Sequence, residues 1–120
     1  MILNWAKSRA ALFLAGSHND YPSYCMIGSG SGTGAVTQTE LISPWDRQAI
    51  TAVNGSTSYK VKWTGDWNSV EVSGNKLREW GMCISGTGVT GSMWSRTTMP
   101  SLISFDGTTE LRIEETWEVF

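Results

Sequence analysis

Short stretches in which apolar and polar residues alternate, each ended by a glycine-containing turn, constrain the fold of this chain more than any other feature. Tyr59, Val61 and Trp63 alternate with two lysines and a threonine. A period of two is typical of an antiparallel strand with one buried face. Short strands that follow one another at regular intervals predict a mainly β protein, an antiparallel β-sandwich or barrel.

Further turns divide the second half of the chain. The pattern predicts one strand at 67–72, the turn SGNK, and another strand at 77–84. Glycine-rich residues 85–92 predict a hairpin loop. The sequence FDGT predicts a last turn, followed by a strand that starts at Leu111.

The N-terminal segment has helical rather than alternating spacing. Trp5, Leu12 and Phe13, with alanines between them, predict an amphipathic α-helix over 3–15. Asn4 is placed to cap this helix and Gly16 to end it. We therefore expect one N-terminal α-helix before the β-rich part.

Length and charge limit the partners. A chain of 120 residues fits one domain, residues 1–120, which buries about two thirds of its unfolded surface. Nine lysines and arginines against eleven acids leave a net charge of -2. Because no basic block is present, we expect no nucleic-acid partner. The longest apolar run, Ala10 to Ala15, is far shorter than the roughly 20 residues of a membrane span, so we expect no membrane partner.

Residues for catalysis or metal binding are scarce. His18 is the single histidine, and Cys25 and Cys83 are the only cysteines. These residues assemble neither a zinc site nor a supported nucleophile–base pair, so we predict no metal, no cofactor and no enzymatic activity. Each cysteine lies in an apolar stretch, which predicts buried thiols. The sequence alone leaves a disulfide between them open, because pairing depends on distances.

The stretch GSGSGTG has a glycine at every second position. A dinucleotide fingerprint that starts at Gly28 or Gly30 requires a later glycine where Thr33 or Ala35 stands. A Walker-type phosphate loop ends in Gly-Lys-Ser or Gly-Lys-Thr, and this loop contains no lysine. The sequence therefore predicts two plain glycine-rich loops. Their glycines are Gly28, Gly30, Gly32, Gly34, Gly86, Gly88 and Gly91.

Glu115 breaks the pattern of the last strand. The alternation places Leu111, Ile113, Glu115, Trp117 and Val119 on one face, so that a carboxylate falls on the apolar side. Such a group needs a partner, a bulge or water. Two interpretations stay open, a structural one and an interface contact to a neighbouring subunit. The structural one is an edge position or an ion pair with an arginine, the candidates being Arg47, Arg78 and Arg96.

Seven tryptophans are many for a chain of this length. Trp63, Trp80 and Trp117 lie on apolar alternations and are predicted to be in the core. Three further tryptophans lie beside turns or polar residues. They are predicted to be surface anchors, either at a protein interface or against sugar rings. These anchors are Trp45, Trp67 and Trp94. Because no aromatic row at fixed spacing is present, we favour the interface.

The order of these features resembles that of small structural proteins of tailed bacteriophages, over most of the chain. A short helix leads into an apolar strand and a Gly-Ser-Thr loop, here YCMIGSGSGTG. A glycine-rich hairpin and a final alternating strand that ends in an aromatic residue, LRIEETWEVF, come later. The remaining matching positions are Leu41, Asp46, Arg47, Glu79, Trp80, Gly81, Met82, Met93 and Arg96.

The resemblance implies a non-enzymatic virion subunit that is assembled in the host cytoplasm. Such a subunit oligomerises and docks on the capsid as a decoration (cement) protein, or on the neck or tail. Its expected partners are copies of itself and the major capsid, neck or tail proteins. The interface candidates then include Arg47, Arg96 and Glu115 beside the anchor tryptophans. The alternative function is a carbohydrate-binding module for host attachment, with Trp45, Trp67 or Trp94 as stacking platforms.

Overall fold

The computed structural model describes residues 2–16, 21–32, 34, 37, 40–56, 60–84 and 93–118, with the backbone alone described at 52–56. It shows two antiparallel sheets and an N-terminal helix, so the predicted mainly β, sandwich-like class is confirmed. The elements are α1 (Asn4–Leu14), β1 (Tyr24–Gly28), β2 (Pro44–Ala49), β3 (Ala52–Ser56), β4 (Lys60–Trp67), α2 (Ser69–Val72), β5 (Lys76–Cys83), β6 (Thr97–Ser104) and β7 (Leu111–Glu118).

The core lies between a four-stranded sheet, in the order β2-β1-β5-β6, and a three-stranded sheet, in the order β3-β4-β7. Cys25 and Ile27 of the first sheet belong to one buried cluster with Trp63, Trp67 and Ile113 of the second. Burial of this apolar area is the main stabilising contribution to the sandwich. Trp80 and Trp117 are half-buried and pack against this cluster.

Gly65 of β4 lets the two sheets approach closely. A Cβ at this position would lie 2.7 Å from the Cβ of Cys25 and 3.2 Å from the Trp67 ring. The first distance is shorter than real Cβ contacts. Glycine at position 65 is therefore a packing requirement of the sandwich.

The outer face of the four-stranded sheet is also covered. Met26 and Cys83 form a second buried cluster there with Leu3, Leu41 and Met93. The register pairs Cys25 with Met82 and Tyr24 with Cys83, so the two cysteines lie on opposite faces of the sheet. Both thiols are buried, as predicted, and no disulfide joins them.

The alternation predicted for β4 and β7 is confirmed. Val61 and Trp63 face inward on β4, while Tyr59 lies outside the described residues. In β7 the odd positions from Leu111 to Trp117 are buried or half-buried and the even positions are exposed. Glu115 consequently points into the sandwich.

The N-terminal helix differs from its prediction at its start. It begins at Asn4, the N-cap position is Leu3, and no side chain caps it. The predicted cap at Asn4 is wrong because this residue already belongs to the first helical turn. The predicted end is confirmed, since Gly16 adopts a φ of 77°, which is a left-handed conformation that glycine accepts at no steric cost.

Residues 69–72 form a short helix rather than the predicted strand. The Asn68 side chain accepts a hydrogen bond from the Glu71 amide, and the Glu71 carboxylate accepts one from the Asn68 amide. This reciprocal capping box outweighs the strand preference of the two valines. Strands β2 and β3 were not predicted, because their sequences show no clear alternation.

A bulge between β5 and β6 changes the direction of Leu77, whereas Glu79 keeps the outward direction set by its unbroken register with β1. The register changes from Leu77 opposite Ile103 to Glu79 opposite Thr98. Leu77 and Met82 therefore both contact the inner core, although an odd-numbered and an even-numbered residue of a regular strand would point to opposite faces. Glu79 faces the outer side of the sheet, as Cys83 does.

Candidate functional site

Two of the predicted surface anchors are buried. Trp67 is 2% exposed, and its Nε1 donates a hydrogen bond to Asp46 Oδ2 at 3.1 Å. Trp94 is 6% exposed and belongs to the inner core. The prediction was wrong because a neighbouring turn in the sequence does not indicate which way a ring points. Neither ring can serve as an interface anchor or as a platform for sugars in this structure.

Trp45 remains at the surface, although it is half-buried. Its Nε1 donates to the Lys76 carbonyl oxygen at 2.8 Å. It lines a groove of about 250 Å³ together with Met26, Pro44, Asp46 and Arg47. Of the predicted interface residues, Trp45 and Arg47 are thus brought together, while the others lie elsewhere.

Arg96 is an interior residue, which corrects its assignment as an interface candidate. Its guanidinium Nε lies 3.1 Å from Glu79 Oε1, and the side chains of both residues are almost fully inaccessible. A buried charge requires a partner of opposite sign. The two residues provide this for each other, so Arg96 is unavailable to another protein.

Backbone amides surround the Glu79 carboxylate. Oε2 accepts hydrogen bonds from the amides of Gly30 and Ser43, each at 2.7 Å. Oε1 accepts one from the Ile42 amide at 2.9 Å in addition to the bond from Arg96. We call these three amides and the Arg96 guanidinium the carboxylate cradle. Every member of the cradle donates, so it suits an anion.

The cradle sets the charge state of Glu79. Burial by itself would raise the pKa of Glu79. The hydrogen bonds from Ser43, Ile42, Arg96 and Gly30 outweigh burial and hold the pKa below its ordinary value. The carboxylate is therefore ionised at neutral pH.

The first glycine-rich loop does more than the predicted plain turn. A Cβ at Gly30 would overlap Glu79 Oε2, and one at Gly28 would lie 2.8 Å from the same atom. The alternating glycines make room for a carboxylate of the same chain. Gly32 and Gly34 instead line a groove beside Arg78 and Pro100. The second predicted loop, with Gly86, Gly88 and Gly91, lies outside the described residues.

Glu115 has no arginine partner among the candidates that the sequence suggested. Its carboxylate accepts hydrogen bonds from Ser95 Oγ, at 2.7 and 3.0 Å, and from Trp117 Nε1 at 2.8 Å. Arg96 binds Glu79, and Arg78 donates to backbone carbonyl groups. Burial raises the pKa of Glu115, against the opposing effect of its hydrogen bonds, and no arginine contributes to the shift. The prediction of an arginine ion pair was wrong for Arg78 and Arg96.

A larger groove, of about 440 Å³, contains three acidic residues. Asp66, Glu71 and Glu110 line it together with Arg112. Hydrogen bonds from Arg112 and Thr51 lower the pKa of Asp66. The carboxylate of Glu71 caps α2 and accepts a bond from Gln48. Two of the three acids are thus engaged in structural contacts.

Within the described ranges, no group of three or more histidine, cysteine, aspartate or glutamate residues could hold a metal ion. His18 lies outside these ranges. The described part of the chain also contains no helix long and apolar enough to cross a membrane.

The second half of α1 is an apolar surface that the sequence analysis did not single out as a site. The first turn is fixed to the sandwich, since Ala6 is buried and the Leu3 amide donates to the Trp94 carbonyl at 3.0 Å. By contrast, Phe13 is 57% and Leu14 is 85% exposed. We call residues 10–15 the open helix segment. Its sequence AALFLA could have drawn attention to it, because only a covered helix normally has such a composition.

Comparisons with protein-family models, with curated proteins and with solved structures each found no match to this chain.

Proposed function

We propose that this protein is a non-enzymatic assembly subunit, a structural protein of a tailed-phage particle. In this proposal it associates with copies of itself and adds to the capsid, as a decoration protein, or to the neck or tail. The exposure of the open helix segment carries the proposal, since Phe13 and Leu14 lie exposed at the end of a helix whose buried residue, Ala6, is near its start.

An uncovered apolar helix end favours association because burying it removes apolar area from water. The segment contains no charged residue, so a partner can cover it without desolvating an ion. In the proposed assembly it packs against a second copy of the chain, and the oligomer then docks on the larger particle. The resemblance of the sequence to small phage structural proteins points to the same class of function.

Two of the four sheet edges, those at β6 and β7, are less suited to assembly than the helix. Strand β6 contains Pro100, which has no N–H to donate, and its pairing with β5 is bulged. Strand β7 directs Arg112, Glu114 and Glu118 outward, and an edge with such charges discourages the addition of a second copy of itself. Association through the helix does not depend on either of these two edges.

A substitution in the open helix segment tests the proposal. Leu14→Glu places a charge in the buried part of the proposed contact and should weaken association by about 2 kcal/mol or more. Its matched control is Ser8→Glu, which adds the same charge at an exposed position of the same helix. Light scattering over a range of concentrations gives the mass of each protein, and sedimentation with empty phage shells and isolated tails gives binding.

We expect the unchanged protein and Ser8→Glu to form the same oligomer and to add to one of the particles, whereas Leu14→Glu is a folded monomer. An oligomer of equal mass in all three proteins would contradict the role of the helix. An unchanged protein that stays monomeric and binds neither shells nor tails would contradict the assembly function itself.

A further inference from the structure

One buried carboxylate, far away in the sequence, binds both ends of the connection between β1 and β2. Residues 28–30 start at the last residue of β1, and residues 41–43 precede β2. The Ser29 amide donates to the Ser43 carbonyl at 3.0 Å, so the segments also contact each other. Both are bound to Glu79 through the carboxylate cradle. We call these two segments the clamped segments.

We propose that Glu79 acts as a latch in a local conformational device. Its carboxylate holds the clamped segments on the outer face of the four-stranded sheet. When the carboxylate is removed, both segments open together and the rest of the sandwich stays folded. Glu79 is a positioning residue in this device, and the ligand of the cradle is a carboxylate supplied by the chain itself. No part of this proposal depends on the assembly function.

The chemistry of the cradle selects a carboxylate. Three backbone N–H groups and the Arg96 guanidinium converge on two oxygens, and none of them can accept a hydrogen bond. Hydrogen bonds to an ionised acceptor are stronger than those between neutral groups. A glutamine at position 79 keeps one oxygen but directs an NH2 group at donors, so it cannot occupy the cradle in the same way.

The geometry explains why opening would be local. The cradle amides lie just beyond the ends of β1 and β2, where the register between these strands already shifts after Ile27. Leu41 is the buried apolar side chain of the second clamped segment. The inner core, between the sheets, contains no member of the cradle. Loss of the latch therefore removes contacts on the outer face alone.

The test is native-state hydrogen exchange, resolved by residue in NMR spectra, of the unchanged protein and of Glu79→Gln. We expect the amides of Gly30, Ile42 and Ser43 to exchange roughly tenfold to hundredfold faster in the variant, because each loses a bond to a charged acceptor. Amides that pair β4 with β7 should keep their rates. Equal protection of the three cradle amides in a folded Glu79→Gln protein would overturn the proposal.

Gly30→Ala changes the cradle instead of the carboxylate, and it tests the proposal if Glu79→Gln does not fold. Its methyl group would overlap Glu79 Oε2 and would also lie 2.6 Å from the Ile42 Cβ, but both charged residues remain. The matched control is Ser31→Ala, at the next and exposed position. We expect faster exchange of the Ile42 and Ser43 amides in Gly30→Ala and unchanged rates in Ser31→Ala. Unchanged rates at both amides in Gly30→Ala would show that the segments are held by something other than Glu79.

Discussion

The Trp5 ring meets the Trp94 ring edge-on, with centroids 5.9 Å apart and planes at 82°. This contact joins the first turn of α1 to the core of the sandwich. The Arg9 guanidinium carbon lies over the Trp5 ring, 5.0 Å from its centroid. The contact between the two rings fixes the start of the helix, while Phe13 and Leu14 of the open helix segment remain exposed.

Trp94→Ala should destabilise the folded protein by about 3–5 kcal/mol, because it removes a large buried ring and leaves a cavity. The sequence had placed Trp94 at an interface, where the same substitution would leave the domain stable. Its Nε1 has no hydrogen-bond partner among the described residues, so Trp94→Phe should cost less. Urea denaturation measures both losses, and a near-neutral Trp94→Ala would contradict the assignment of this ring to the core.

Two carboxyl groups, those of buried Glu79 and half-buried Glu115, should give the stability of the protein a maximum on the acid side of neutrality. Burial raises the pKa of Glu115 above its ordinary 4.5. The folded protein therefore takes up this proton before the unfolded chain does, and stability increases as the pH falls towards 4.5. The cradle lowers the pKa of Glu79 in the folded protein. Stability is therefore lost as the pH falls further and passes through that lowered pKa.

Free energies of unfolding, measured by urea at a series of pH values, test this maximum. Glu115→Gln should abolish the increase between neutral pH and the ordinary value of 4.5 but keep the loss at lower pH. Asp66, whose pKa is lowered by Arg112 and Thr51, adds to that acid loss in both proteins. If the free energy of unfolding of Glu115→Gln still increased by the same amount, another group would be responsible for the increase.

Cys25 should resist thiol reagents in the native protein. Burial, with smaller contributions from the charges of Glu115 and Cys83, raises the pKa of its thiol far above the ordinary value. Since the thiolate is the reactive form, labelling should require unfolding. Mass spectrometry after treatment with iodoacetamide should show no modification of Cys25 without urea and complete modification in the unfolded chain. Rapid native labelling of Cys25 would contradict its burial between the sheets.

The sequence by itself determined the features that depend on near neighbours. The alternation of β4 and β7 correctly placed Trp63 and Glu115 inside, since successive strand residues point to opposite faces whatever they pack against. Gly74 and Gly107 marked turns and adopt φ values of 79° and 94°. The end of α1 at Gly16 follows from the same property of glycine.

Only the tertiary structure decided which distant groups meet. The Gly30 amide and Glu79 are separated by 49 positions in the chain, and the Ser43 amide and Glu79 by 36. Their contact depends on the order of strands in the sheet and on the path of the loop between β1 and β2, and no local pattern encodes either. The same holds for Trp67 and Trp94, whose burial depends on the sheet that covers them. Local periodicity assigns a side chain to a face, whereas packing between elements decides what lies against that face.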